Sequence, residues 1–161
     1  MKQLIERVKH WSESKGIIES ANLQAQLAYV LFETCEAWQE YVKQRYDRLP
    51  CEIGDVYVTL INLSLIIGLD VDEILDYTQM PPVEDNVGDL FQRLAQTIIT
   101  RKAQRYADVY TCIGSSFQLI ASVCNVLDIE PGDCLEQAVD KIERRTGRTV
   151  DGVFIKDGEH G

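Results

Sequence analysis

The stretch Ala28-Tyr29-Val30-Leu31-Phe32-Glu33-Thr34-Cys35-Glu36-Ala37-Trp38, with its successor Glu52-Ile53-Gly54-Asp55-Val56-Tyr57-Val58-Thr59-Leu60-Ile61-Asn62-Leu63, decides how this chain folds. Each segment is largely apolar, and each carries two acids at i, i+3 spacing: Glu33 with Glu36, and Glu52 with Asp55. That interval sets both members of a pair on one face of a helix. The residues between the segments suit an antiparallel helix hairpin, which aims four carboxylates at one point. Acids in such surroundings are desolvated, and clustering raises their pKa values further unless a cation offsets both effects. Hard divalent cations are held by carboxylate oxygens and water and commonly meet substrate phosphates at the same site. On the second helix of the pair, Glu52, Asp55, Thr59 and Asn62 make one polar stripe on an otherwise apolar cylinder. A stripe that narrow reads as the wall of a site. The competing reading is helix capping after Pro50 for Glu52 and Asp55, and a solvated face running on to Glu40 for Glu33 and Glu36.

Outward from this pair, helical periodicity dominates, and the expected fold is an all-α helical bundle. A first helix is predicted from Met1 to Lys15, ending near Gly16. A second runs from Asn22 to Arg48 and a third from just after Pro50 to Gly68. Asp70 or Asp72 is predicted to cap a short helix through Tyr77. Beyond Met80-Pro81-Pro82, helices are predicted over 84–104, 106–127 and 133–145. The one β-like run, Val150 to Ile155, reads as too short and isolated to build a sheet. The chain is expected to be a single domain, 1–161, with a site-bearing half (1–77), an additional helical segment (78–107), closing helices (108–147) and a tail (148–161). Asp55-Val56-Tyr57-Val58-Thr59 recurs as Asp108-Val109-Tyr110-Thr111, and Leu69-Asp70-Val71 as Leu127-Asp128-Ile129. If this is a repeat, its second copy lacks the acid pairs.

Composition narrows the function. In 161 residues, 45% are hydrophobic, 26% are charged, and the formal net charge is −10. With few Lys/Arg clusters, that balance argues against nucleic acid or an anionic membrane as the main partner. A phosphate ligand stays open, since a bound cation reverses the local field. The five cysteines show no CxxC pairing and read as buried reduced thiols. The N-terminal residues read as an amphipathic helix rather than a secretory signal, and the longest apolar run, Val56 to Leu69, is interrupted by polar residues and short for a membrane span, so a cytoplasmic location is expected. The two histidines, His10 and His160, lie near the ends and make no zinc or di-iron set. P-loop, GxGxxG and GxSxG motifs are absent. Oxygen-only ligation favours Mg2+, with Mn2+ possible.

Three blocks in order resemble one family. They are Val8-Lys9-His10-Trp11 through Lys15-Gly16-Ile17; Gln26 through Glu36 followed by Glu52-Ile53-Gly54-Asp55 and Thr59-Leu60-Ile61-Asn62-Leu63; and Cys134-Leu135-Glu136 through Ile142, Arg145, Gly147 and Arg148 to Asp151-Gly152-Val153-Phe154-Ile155-Lys156. Together they resemble the MazG-like nucleoside triphosphate pyrophosphohydrolases of the all-α NTP pyrophosphatase superfamily. Phe32 departs from the family, standing where many members have the first acid of an EExxE run; Asp140 stands where Asn is common. The resemblance implies Mg2+ on Glu33, Glu36, Glu52 and Asp55, with hydrolysis of a nucleoside triphosphate to monophosphate and pyrophosphate. Glu36 is the favoured general base. Arg145, Lys141, Arg144 and Lys156 are the candidate phosphate ligands, and Trp11 and Trp38 the candidate base-binding aromatics. A homodimer or larger homo-oligomer is expected. The alternative function is a non-catalytic helical interaction or nucleotide-sensing module.

Overall fold

The computed structural model describes residues 1–20, 22–100, 106–150 and 153–157, with side chains omitted at Thr100, residues 106–108 and Val153. Among the described residues the chain is all-α apart from one small hairpin: α1 (Lys2–Ser14), α2 (Ile17–Ser20), α3 (Leu23–Val42), α4 (Leu49–Ile66), α5 (Val71–Thr78), α6 (Val87–Thr100), α7 (Tyr106–Leu127), α8 (Pro131–Glu143), β1 (Gly147–Val150) and β2 (Val153–Lys156).

The ends of these helices follow from local chemistry. Asn22 caps α3 by accepting from the backbone N–H groups of Gln24 and Ala25. Asp70 caps α5 in a reciprocal box, accepting from the Glu73 N–H while the Glu73 carboxylate accepts from the Asp70 N–H. Asp70→Ala is expected to lower stability by about 0.5–2 kcal/mol, measured by urea unfolding, since it frees the N-terminal donors of a short helix.

Helix α3 ends at Val42, six residues before the predicted Arg48. Gln44 adopts a left-handed φ of 56°, and the N–H of Arg45 returns to the carbonyl of Glu40, closing a Schellman motif. The same closure ends α4 at Gly68 (φ 91°) and α7 at Asp128 (φ 55°). Asp70 and Asp128, matched in the sequence repeat, thus do different work: one starts a helix and the other ends one. The repeat's Asp108 side chain and residues 101–105 lie outside the described parts, as does the end of the predicted 84–104 helix.

Helix α4 is the hub, packing against α1, α2, α3, α5, α7 and α8. An apolar helix with residues buried on every side has to sit at the centre of a bundle. Tyr57 of α4 meets Phe117 of α7 with centroids 6.1 Å apart. Within the predicted additional segment, Leu90, Phe91 and Leu94 of α6 are fully buried in the hydrophobic core. Leu49–Ile66 and Val109–Leu127 are long and apolar enough to cross a membrane by length and composition, and 67% and 61% of those windows are buried in the fold. Three cysteines, Cys112, Cys124 and Cys134, are buried as expected; Cys35 is exposed and Cys51 half-buried.

The tail corrects the sequence reading. What looked like one isolated run is the meeting of two antiparallel strands, with Val150 opposite Val153 and Gly147 opposite Lys156. The intervening Asp151 and Gly152 lie outside the described residues, and their types are those favoured in two-residue hairpin turns. The hairpin is fastened to the N-terminal helix region, because Phe154 packs edge-on against Trp11 and the Thr149 hydroxyl donates to the Lys15 carbonyl at 2.6 Å.

Candidate active site

The short connection 43–48 turns the chain so that α3 and α4 run antiparallel, as the spacing of their acids requires. Between them, α8 and the hairpin lies a cleft of about 440 Å³, within the range of small-molecule sites. All four predicted acids line it, together with Thr59 and Asn62 of the α4 stripe. Carboxylate oxygens of Glu33, Glu36 and Glu52 lie within 4.8 Å of one another. Asp55 stands beside this trio but is engaged by the Lys141 ammonium in a short charge-assisted hydrogen bond. Its side chain is 9% exposed against 34% for Lys141, so the pair is largely withdrawn from water.

Glu33 and Glu52 respond electrostatically as the sequence predicts. Burial first, then the charges of Asp55 and Glu36, push the Glu33 carboxyl up to about 7, with Lys141 pulling the other way. Glu52 is also raised, again chiefly by burial. Lys141 is pulled down by burial but raised on balance by its bond to Asp55. Folded protein therefore holds a proton on Glu33 that the unfolded chain releases near 4.5. The stability this gives is present at low pH and is lost as pH rises from about 4.5 to about 7. Thermal melting in chelator across that interval should show a downward slope that Glu33→Gln removes and that a divalent cation diminishes.

The cationic side of the cleft comes from the C-terminal block. Lys141 of α8 and Arg145, just past the end of that helix, line it together with Lys156 of β2. Arg144, predicted alongside them, is the exposed C-cap of α8 and does not line the cleft. The two candidate aromatics part company as well. Trp11 lines the cleft and is 7% exposed, with an indole N–H that is buried without an acceptor. Trp38 instead stacks on Phe91, centroids 6.1 Å apart, and belongs to the α3–α6 core contact. Its role is packing, because the partner helix that covers it is α6 and not the site.

Gln26, Tyr29 and Phe32 of α3 also line the cleft, and sequence reading had not assigned them to it. A signal existed: Gln26, Tyr29, Glu33 and Glu36 follow the i, i+3, i+7 and i+10 positions of one helix face. Phe32 is 55% exposed and puts an aromatic ring on the rim of the cleft. The site is thus an acid cluster and a set of cations in a cleft whose wall also carries aromatic, amide and aliphatic side chains. Compared with known proteins, the chain matches no family model, no curated protein and no solved structure.

Proposed function

We propose that this protein is a Mg2+-dependent nucleoside triphosphate pyrophosphohydrolase with a MazG-like helical bundle. The observation that carries the reading is the convergence of Glu33, Glu36 and Glu52 within 4.8 Å, in a cleft that also presents Lys141, Arg145 and Lys156. The three sequence blocks that resemble the family contribute these same residues.

The donor set fits a hard divalent cation: it is all oxygen, and carboxylates this close repel one another without a positive charge among them. Glu33, Glu36 and Glu52 would hold the ion, with Asp55 joining on release from Lys141. When bound, Mg2+ offsets triphosphate charge and lowers the pKa of an attacking water. Glu36, the exposed member of the trio, is the acid assigned to accept that water's proton. The water oxygen attacks the α phosphorus, the bond from that phosphorus to the α–β bridging oxygen breaks, and pyrophosphate leaves. Lys141, Arg145 and Lys156 bind the phosphate oxygens that the site's acids would repel. Ile17, Phe154 and the face of Trp11 offer the nucleoside an apolar wall.

A panel of ribo- and deoxynucleoside triphosphates assayed with Mg2+ tests the proposal. At least one should yield monophosphate and pyrophosphate in a reaction abolished by chelator; no product from any member of the panel contradicts it.

A further inference from the structure

The α4 stripe continues past the acids to Asn62, a cleft-lining residue only 5% exposed. Seven residues separate it from Asp55, a rise of about 10 Å along the helix, so it sits on the same face well away from the cation cluster. On the nucleotide-hydrolase reading, phosphates held at the acids leave this depth to the base.

The amide of Asn62 is hydrogen-bonded through its oxygen. The Ser12 hydroxyl, fully buried on α1, donates to Asn62 Oδ1 at 2.5 Å. The Ser12 hydroxyl can both donate and accept, so this amide orientation goes with the hydroxyl acting as donor, as it does here. In this orientation Oδ1 is engaged by Ser12, and Asn62 Nδ2 is the donor left for a ligand. The buried indole N–H of Trp11, another residue of the cleft wall, likewise lacks an acceptor.

We propose that Asn62 determines base specificity, donating Nδ2–H to a carbonyl oxygen of the nucleobase, with Ser12 as the positioning residue that fixes the amide. The inference rests on the nucleotide-hydrolase reading and deepens it: the substrates are nucleotides of oxo-bearing bases, and adenine, which carries no carbonyl, is disfavoured. A site built around a hydrogen bond discriminates strongly because its buried donor is stranded when the acceptor is missing.

The test compares GTP, UTP, dTTP and ATP as substrates with Mg2+, using wild type, Asn62→Asp and Ser12→Ala. Wild type should favour one or more of the first three over ATP by at least about tenfold in kcat/KM. Asn62→Asp presents an acceptor in place of the donor and should shift that ratio towards ATP by about tenfold or more; Ser12→Ala should relax it by allowing the amide to turn. A ratio unchanged in both variants, or a wild-type preference for ATP, overturns the proposal. An independent arm needs no variant: the Asn62 side-chain amide resonances of wild-type protein should shift on titration with GMP or UMP and respond less to AMP. If those monophosphates shift the resonances selectively while no triphosphate is hydrolysed, the base site stands and the hydrolase reading falls. If no nucleotide perturbs them, the base site falls whatever the turnover.

Discussion

Glu36→Gln is expected to lower kcat by about 10²- to 10⁴-fold while leaving the melting temperature nearly unchanged. The two halves of that expectation have separate causes. Glu36 is exposed on α3 and so contributes little to the core, while its oxygen belongs to the 4.8 Å cluster with Glu33 and Glu52. A glutamine keeps the size and one oxygen but removes both the charge that would hold a cation and the base that would take a proton. Activity measured at saturating Mg2+ separates these contributions, because weakened cation binding is recovered by more metal and a missing base is not. Equal turnover by the two proteins would remove Glu36 from the chemistry.

Gly54→Ala is expected to destabilise the fold and damage the site together. Gly54 lies where α4 crosses α8, and a Cβ there would stand 2.0 Å from the Cys134 carbonyl oxygen and 2.8 Å from the Ala138 Cβ. Alanine ordinarily improves a helix interior by about 1 kcal/mol over glycine. Here the clash is with backbone, which a rotamer change cannot relieve, so α4 and α8 must separate, at a net cost of about 1–3 kcal/mol. For a chain of this length that lowers Tm by several degrees. The separation also draws Lys141 of α8 away from Asp55 of α4, so KM for the nucleotide should rise. Thermal melting and steady-state kinetics on the same variant check both effects; an unchanged Tm would contradict the tight crossing.

Much of the bundle was legible because its signals are local. Asp70 followed by Glu73 announces a capping box, and the period of the apolar residues marks α4 and α7. The acids of α3 and α4 were readable as one cluster because i, i+3 spacing and a short connection constrain where they point. What stayed hidden depends on partners distant in sequence. Nothing in Lys43-Gln44-Arg45 announces the end of α3, since glutamine rarely takes the left-handed conformation found at Gln44. Trp38 and Trp11 are equally aromatic, and only the position of α6 makes one a core residue and leaves the other in the cleft. The Asp55–Lys141 pair joins residues 86 positions apart, so neither neighbourhood shows that an expected cation ligand and an expected phosphate ligand hold each other. The hairpin was missed for a related reason: each strand alone is too short to read, and the pairing gives both their meaning.

The proposed reaction is defined by the bond it breaks. Phosphorus NMR of the wild-type protein turning over its best triphosphate with Mg2+, in isotopically labelled water, tests it most directly. The label should appear on the phosphate of the nucleoside monophosphate, with unlabelled pyrophosphate as the other product. Orthophosphate and nucleoside diphosphate as products, or label in the pyrophosphate, would contradict attack at the α phosphorus.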